Sequence, residues 1–330
     1  SDEDRKLAKF YVPDPNSEEM MYLHSRRKEL GGYQPIRFNS CEKLKAPDIE
    51  LFDDFVNGID RSISTTLVLV RMISKMLREE DFGKYIVPIV PDEARTFGMD
   101  GLFSQAGIYS PEGQNYQPVD AGTIAPYKEA KDGQILQEGI CEAGAMASFM
   151  AAGTAYSHFE LPMIPFYIFY SIFGFQRVGD MIWACGDALT RGFLIGGTSG
   201  RTTLNGEGVQ HQDGHSHVLA SVVPNLMTYD PAFGFELAVI VREGIRRMYQ
   251  EQENIFYYIT VYNENHTHPP INDVTQDSIL KGMYCFKRAA KDLVDKYQGE
   301  PIHLLGSGSI MQQVIQAQKE LEQEGIPTNI

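Results

Sequence analysis

From about Ile49 onward the chain alternates two patterns of apolar and polar positions. Short, nearly unbroken apolar runs ("YIVPIVPD", "MIPFYIFY", "GFLIGGTS", "NIFYYITVYNEN") read as strands covered on both faces. Between them the apolar residues take helical spacing, in "ISTTLVLVRMISKML", "EGICEAGAMASFMAAGTAYS", "GFQRVGDMIWACGDALT" and "GFELAVIVREGIRRMYQ". Alternating strands and helices with continuous apolar strands predict an α/β domain built on a doubly wound parallel sheet. Ligands of such sheets bind beyond the carboxyl ends of the strands. Asp92, Glu93, Tyr170, Phe173 and the loop leading to His211 fall there, so chemistry is expected at that end.

The flanks read differently. Residues 1–50 are polar and broken by "VPDPNSEE" and "ELGGYQPIRFNS", which predicts an interdomain arm with one short helix near "EEMMYLHSRRKEL". The main domain is expected over 51–262. "NENHTHPPINDVTQDS" is proline-rich and polar, and a linker is expected over 263–275. Beyond it, "SILKGMYCFKRAAKDLVDKY" predicts a helix, "IHLLGSGS" a strand with a glycine turn, and "IMQQVIQAQKELEQEG" a second helix. A lone β–α pair does not build a domain, so 276–330 reads as the first part of a truncated C-terminal α/β domain. The chain opens "SDEDRKL", without methionine, and reads as a piece of something longer.

Composition narrows the function. The hydrophobic fraction of 43% supports a core, and no apolar run reaches transmembrane length. A net charge of −15 argues against non-specific nucleic-acid or anionic-membrane partners. It also means that a small anionic substrate needs a locally positive pocket. Cys41, Cys141, Cys185 and Cys285 are far apart and form no CxxC pair, so reduced cytoplasmic thiols are expected.

Several motifs invite chemistry. "GSGSIM" lacks the third glycine and the acidic ribose ligand of a dinucleotide fingerprint, and a tight turn is expected there. "GGTSGRT" lacks the spacing and lysine of a P-loop. "HQDGHSH" holds His211, His215 and His217 around Asp213 and suits a metal, a polar turn or a substrate wall. Glu142 opens a predicted helix on which Ala143, Ala147 and Ala151 share one face. The simplest reading is close packing by another helix, with the carboxylate favouring the helix N-terminus. "FYIFYSIFGFQR" is either core or a grip on a flat heterocycle.

Taken together, "VPDEARTFGMDGLF", "GQILQEGICEAGAM", "MIPFYIFYSIFGFQR", "RGFLIGGTSGRTTLNGEGVQHQDGHSH" and "YYITVYNEN" resemble the homodimeric bacterial pyruvate dehydrogenases, first components of the pyruvate dehydrogenase complex. These are transketolase-like thiamine diphosphate enzymes, and the similarity runs from the arm to the last residue. The resemblance implies the pyrimidine-binding middle domain plus the start of the C-terminal domain. It implies oxidative decarboxylation of pyruvate with acetyl transfer to the lipoyl domain of a dihydrolipoyl acetyltransferase, in a homodimer of the bacterial cytoplasm. Another transketolase-like 2-oxo acid dehydrogenase, or an inactive dimerisation and cofactor-docking module, are the alternatives.

By the same resemblance Glu142 is the activating carboxyl group at the pyrimidine, Phe173 stacks on that ring, and Tyr170 borders cofactor and substrate. Ile140, Asp92 and Glu93 lie near the cofactor. His211 faces the substrate, with Glu207 and Arg177 near it. No metal ligand is expected in this chain. "CGDALTRG" departs from the family's GDG…N motif, so the Mg²⁺ and diphosphate ligands are expected in a domain upstream of Ser1.

Overall fold

The computed structural model describes the chain except residues 1, 8, 9, 11, 31, 34–37, 39, 92–93, 124, 202–207 and 273. Its centre is a six-stranded, all-parallel sheet of β1 (Ile86–Val90), β2 (Leu136–Gln137), β3 (Ile164–Tyr170), β4 (Phe193–Gly197), β5 (Leu226–Tyr229) and β6 (Phe256–Thr260). The strands lie in the order β2-β1-β3-β4-β6-β5. Every residue of β1, β4 and β6 is buried, which is why these segments are apolar throughout instead of alternating.

Alternation survives in which helix each side chain meets. Tyr167, Phe169 and Tyr258 face one layer, where Phe149 of α2 (Glu142–Gly153) and Gly174 of α3 (Ser171–Asp187) pack on them. Phe166, Phe193 and Tyr257 face the other, against Gly244 of α5 (Gly234–Ile245). A helix α1 (Thr65–Met76) lies beside α5, and a short α4 (Ser216–Ala220) lies beside α3. Helices on both faces make the sheet doubly wound, as the pattern predicts.

The strand order reverses between β1 and β3. The chain steps from β1 outward to β2, then returns to the other side of β1 as β3. At such a switch point the flanking loops part and leave a crevice at the carboxyl ends of the strands.

The flanks correct one expectation. Within 263–275 a strand, His266–His268, pairs antiparallel with Ile59–Ile63. The predicted helix over 278–297 does not form; only the turns Gln276–Leu280 and Lys291–Val294 are helical. Between them the side chains take separate tertiary contacts. Tyr284 donates to Glu236 at 2.8 Å, and Phe286 stacks on Phe233 at 5.0 Å. Beyond, β7 (Ile302–His303), α6 (Met311–Gln323) and β8 (Thr328–Asn329) form a small parallel β-α-β unit. The arm carries its predicted helix at Glu18–Glu29, capped by Ser17.

Candidate active site

Three loops converge at the switch point. The first follows β2 and enters α2. Cys141 caps that helix, its sulfur accepting the Gly144 N–H at 3.3 Å, and Glu142 is the first helical residue. The carboxylate thus sits at the positive end of the helix dipole, with its side chain 13% exposed. The Glu142 carbonyl accepts the Tyr167 hydroxyl at 3.3 Å from below. Burial, with the Glu142 carboxylate beside it, pushes that phenol far above its usual range, so it stays a donor.

The second element is the end of β3. Tyr170 is the last strand residue and α3 starts immediately after it. Phe173 and Arg177 are four residues apart and share one helix face. The Arg177 guanidinium lies 3.9 Å from the Phe173 ring centroid, a cation–π contact, and pairs with the Glu142 carboxylate. The helix breaks directly after it, at Val178 (φ −133°, ψ 22°).

The third element is the loop after β4. His211 ends a short 3₁₀ turn, Val209–His211. Its ring centroid lies 5.5 Å from that of Tyr170 and 5.7 Å from that of Phe173, which are themselves 5.8 Å apart. Phe97, from the loop after β1, extends the cluster with its ring 5.5 Å from Tyr170. Glu142, Arg177, Phe173, Tyr170 and His211 therefore form one continuous surface. Ile140 is 73% exposed. Asp92, Glu93 and Glu207 lie outside the described residues.

The histidine heptad divides its labour. Asp213 is buried and accepts the His215 and Ser216 N–H groups, each at 3.1 Å, and the Ser216 hydroxyl. These bonds hold its carboxyl below the ordinary range although burial alone would raise it. It fixes the turn into α4. His217 turns inward to Thr260 at 2.9 Å, and burial depresses its pKa. Only His211 reaches the aromatic cluster. Among the described residues no three His, Cys, Asp or Glu side chains converge as a metal-binding set. A cavity of about 450 Å³ lies elsewhere, between α5 and the β7-α6-β8 unit, lined by Phe233, Glu236, Tyr284 and Met311.

The family described as the pyruvate dehydrogenase E1 component middle domain matches residues 47–269. This chain belongs to that family. It is 53% identical over 324 residues to the pyruvate dehydrogenase E1 component of Pseudomonas aeruginosa, covering 98% of this chain and 36% of that protein. It is 50% identical over 326 residues to the corresponding component of Escherichia coli K12, with the same coverages. The chain thus spans about a third of the length of these relatives. Transketolases of Campylobacter jejuni and Leishmania mexicana share the fold, each with a TM-score of 0.62 at 14% identity. The first alignment covers 87% of this chain and 36% of its counterpart, the second 84% and 35%.

Sequence reading overlooked two buried residues that back the candidate site, Phe97 and Tyr167. Phe97 belongs to "TFGMDGLF", an aromatic placed just past the end of a strand, and that position was the available signal. Tyr167 was hidden inside an apolar strand, where nothing distinguishes a tyrosine that supports a helix terminus from one that fills the core.

Proposed function

We propose that this chain supplies the pyrimidine-binding half of an active site that oxidatively decarboxylates pyruvate and acetylates lipoamide on the acetyltransferase component. The observation that carries this reading is the convergence of Glu142, Phe173, Tyr170 and His211 at the sheet's switch point, in a chain of the E1 family. When bound, thiamine diphosphate supplies the carbon nucleophile and electron sink that the decarboxylation of a 2-oxo acid requires.

The residues present fit an aminopyrimidine. The Arg177 guanidinium supports this fit: it lies over the Phe173 ring while hydrogen-bonding Glu142. A pyrimidine ring asks for the same two contacts. Glu142 would hold a proton shared with the ring nitrogen, at a sheltered helix N-terminus. Phe173 would stack on the ring and Tyr170 would close its edge. Arg177 would have to release Glu142 as the ring enters, and is then free to turn toward an anionic substrate. His211 would donate to the carboxylate or developing oxyanion of pyruvate. On the same reading Asp92, Glu93 and Ile140 would contribute to the cofactor side and Glu207 to the substrate side.

The units are proposed as an arm over 1–50, the pyrimidine domain over 51–262, a linker over 263–275, and the start of a C-terminal domain over 276–330. Mg²⁺ and the diphosphate would be held by a domain outside this chain. A homodimer accounts for the exposed stripe Ala143, Ala147 and Ala151 on α2. The reaction class is tested with the full-length protein, thiamine diphosphate, Mg²⁺ and an artificial electron acceptor. Pyruvate is expected to be turned over with higher kcat/KM than 2-oxoglutarate or branched 2-oxo acids; preference for one of those would refute the substrate assignment.

A further inference from the structure

The glycine turn "GSGS" resembles a weak dinucleotide motif, yet in the fold it grips a single carboxylate. Asp230 follows β5, and its Oδ2 accepts the Ser307 hydroxyl at 2.5 Å while its carbonyl accepts the Gly308 N–H at 3.1 Å. Gly308 has φ +50°, and a Cβ there would lie 2.2 Å from the Tyr262 hydroxyl, so only glycine allows this approach. The other oxygen of the carboxylate looks back into the sheet. Asp230 Oδ1 accepts the Tyr262 hydroxyl at 2.5 Å and the Thr260 hydroxyl at 2.6 Å.

Thr260 also meets Nε2 of His217 at 2.9 Å. A threonine hydroxyl has one proton and a carboxylate only accepts. With that proton committed to Asp230, the histidine nitrogen must donate. The chain of bonds therefore runs one way: His217 Nε2–H to Thr260, and Thr260 to Asp230. His217 lies in α4, whose start is fixed by Asp213 and whose preceding residues carry His211. A cavity of about 230 Å³ opens along this seam, lined by Arg201, Asp213, His217, Asp230 and Ser307.

We propose that Asp230 is a positioning residue that couples the seating of the C-terminal unit to the His211 wall, by fixing the hydrogen-bond direction through Thr260 and His217. Its kinetic consequence rests on the reading of His211 as a substrate contact; the coupling itself does not.

The test uses the full-length protein with Asp230→Ala, Asp230→Asn and Thr260→Val. Asparagine can still accept from Thr260 and Tyr262 while its amide donates to Ser307, so it should rescue. In Asp230→Ala, amide hydrogen exchange is expected to rise in both 209–220 and 302–311. In Thr260→Val it should rise in 209–220 alone, because Asp230 keeps Ser307. The kcat/KM for pyruvate should fall about tenfold in both, the factor carried by one ordinary hydrogen bond, through KM more than kcat, with thiamine diphosphate affinity within about twofold. Asp230→Asn should stay near wild type in each readout. Wild-type exchange over 209–220 in Asp230→Ala, or in Thr260→Val should the first variant not fold, would overturn the coupling. So would an asparagine variant as impaired as alanine. A wild-type protein without pyruvate turnover would count against the assigned reaction, while the exchange pattern would still decide the coupling.

Discussion

At the scale of single residues, two titratable groups carry opposite assignments. Glu142 sits at a helix N-terminus beside Arg177, and its proposed work is to share a proton. Glu142→Gln keeps shape and packing but removes that exchange. In the full-length protein this variant is expected to keep its melting temperature within a few degrees while losing cofactor C2 proton exchange; wild-type exchange rates would contradict the role. His268 is structural and buried. Its Nε2 meets the Ile63 carbonyl at 3.0 Å, and its Nδ1 accepts the Gly234 N–H at 3.1 Å, so the ring can take a second proton only by giving up the second bond. Burial lowers its pKa from 6.5 to about 4, with His266 beside it adding to the effect. The sign follows. Above pH 6.5 both folded and unfolded states are neutral here; as pH falls toward 4 only the unfolded chain gains the proton, so stability is lost across that window. The loss is on the order of 3 kcal/mol at most. Urea midpoints measured between pH 7 and 4 should fall more steeply for wild type than for His268→Gln, and equal slopes would exclude this residue as the cause.

Among the elements, α2 is the one with an uncovered face. Ala145, Met146, Phe149 and Ala152 are buried on the sheet, whereas Ala143, Ala147 and Ala151 are exposed in the isolated chain. Small residues four apart let another backbone come close. If α2 packs on a partner subunit, Ala147→Leu overpacks that contact at a cost of about 1–3 kcal/mol. The dimer dissociation constant from sedimentation should then rise by roughly five- to a hundredfold, and an unchanged one would remove α2 from the interface. The elements also show how far sequence can be read. The strands were legible because helices cover both faces, leaving continuous apolar runs. The site elements were legible because strand ends and helix starts carry Glu142, Tyr170 and Phe173. The segment 278–297 was misread because Tyr284 and Phe286 are bound to Glu236 and Phe233, distant in sequence; tertiary contacts override local propensity. Neither the Arg177–Glu142 pair nor the Asp230 hub had a local signal, since both join residues distant in sequence.

For the molecule as a whole, the decisive facts are its share of the family's length and its charge. The chain spans about a third of its E1 relatives and, on the proposed reading, holds one half of a divided site. Residues 1–330 alone are therefore expected to bind thiamine diphosphate weakly and without Mg²⁺ dependence by calorimetry, while the full-length protein binds tightly with Mg²⁺. Tight Mg²⁺-dependent binding by the shorter chain would show that the diphosphate ligands are here after all. The charge sets a second demand. A chain of net charge −15 repels a small carboxylate over distance, so capture depends on donors inside the site. On the proposed reading His211 serves this, its ring packed on Tyr170 and Phe173. The pyrimidine would be held by Glu142 and Phe173 without it. His211→Ala in the full-length protein should then lose one hydrogen bond to a charged group, roughly 1.5–3 kcal/mol, or about ten- to a hundredfold in kcat/KM for pyruvate. The dissociation constant of thiamine diphosphate should barely move. Cofactor titration and steady-state kinetics on one preparation separate the two effects. Lost cofactor affinity with normal pyruvate kinetics would place His211 on the cofactor side of the site.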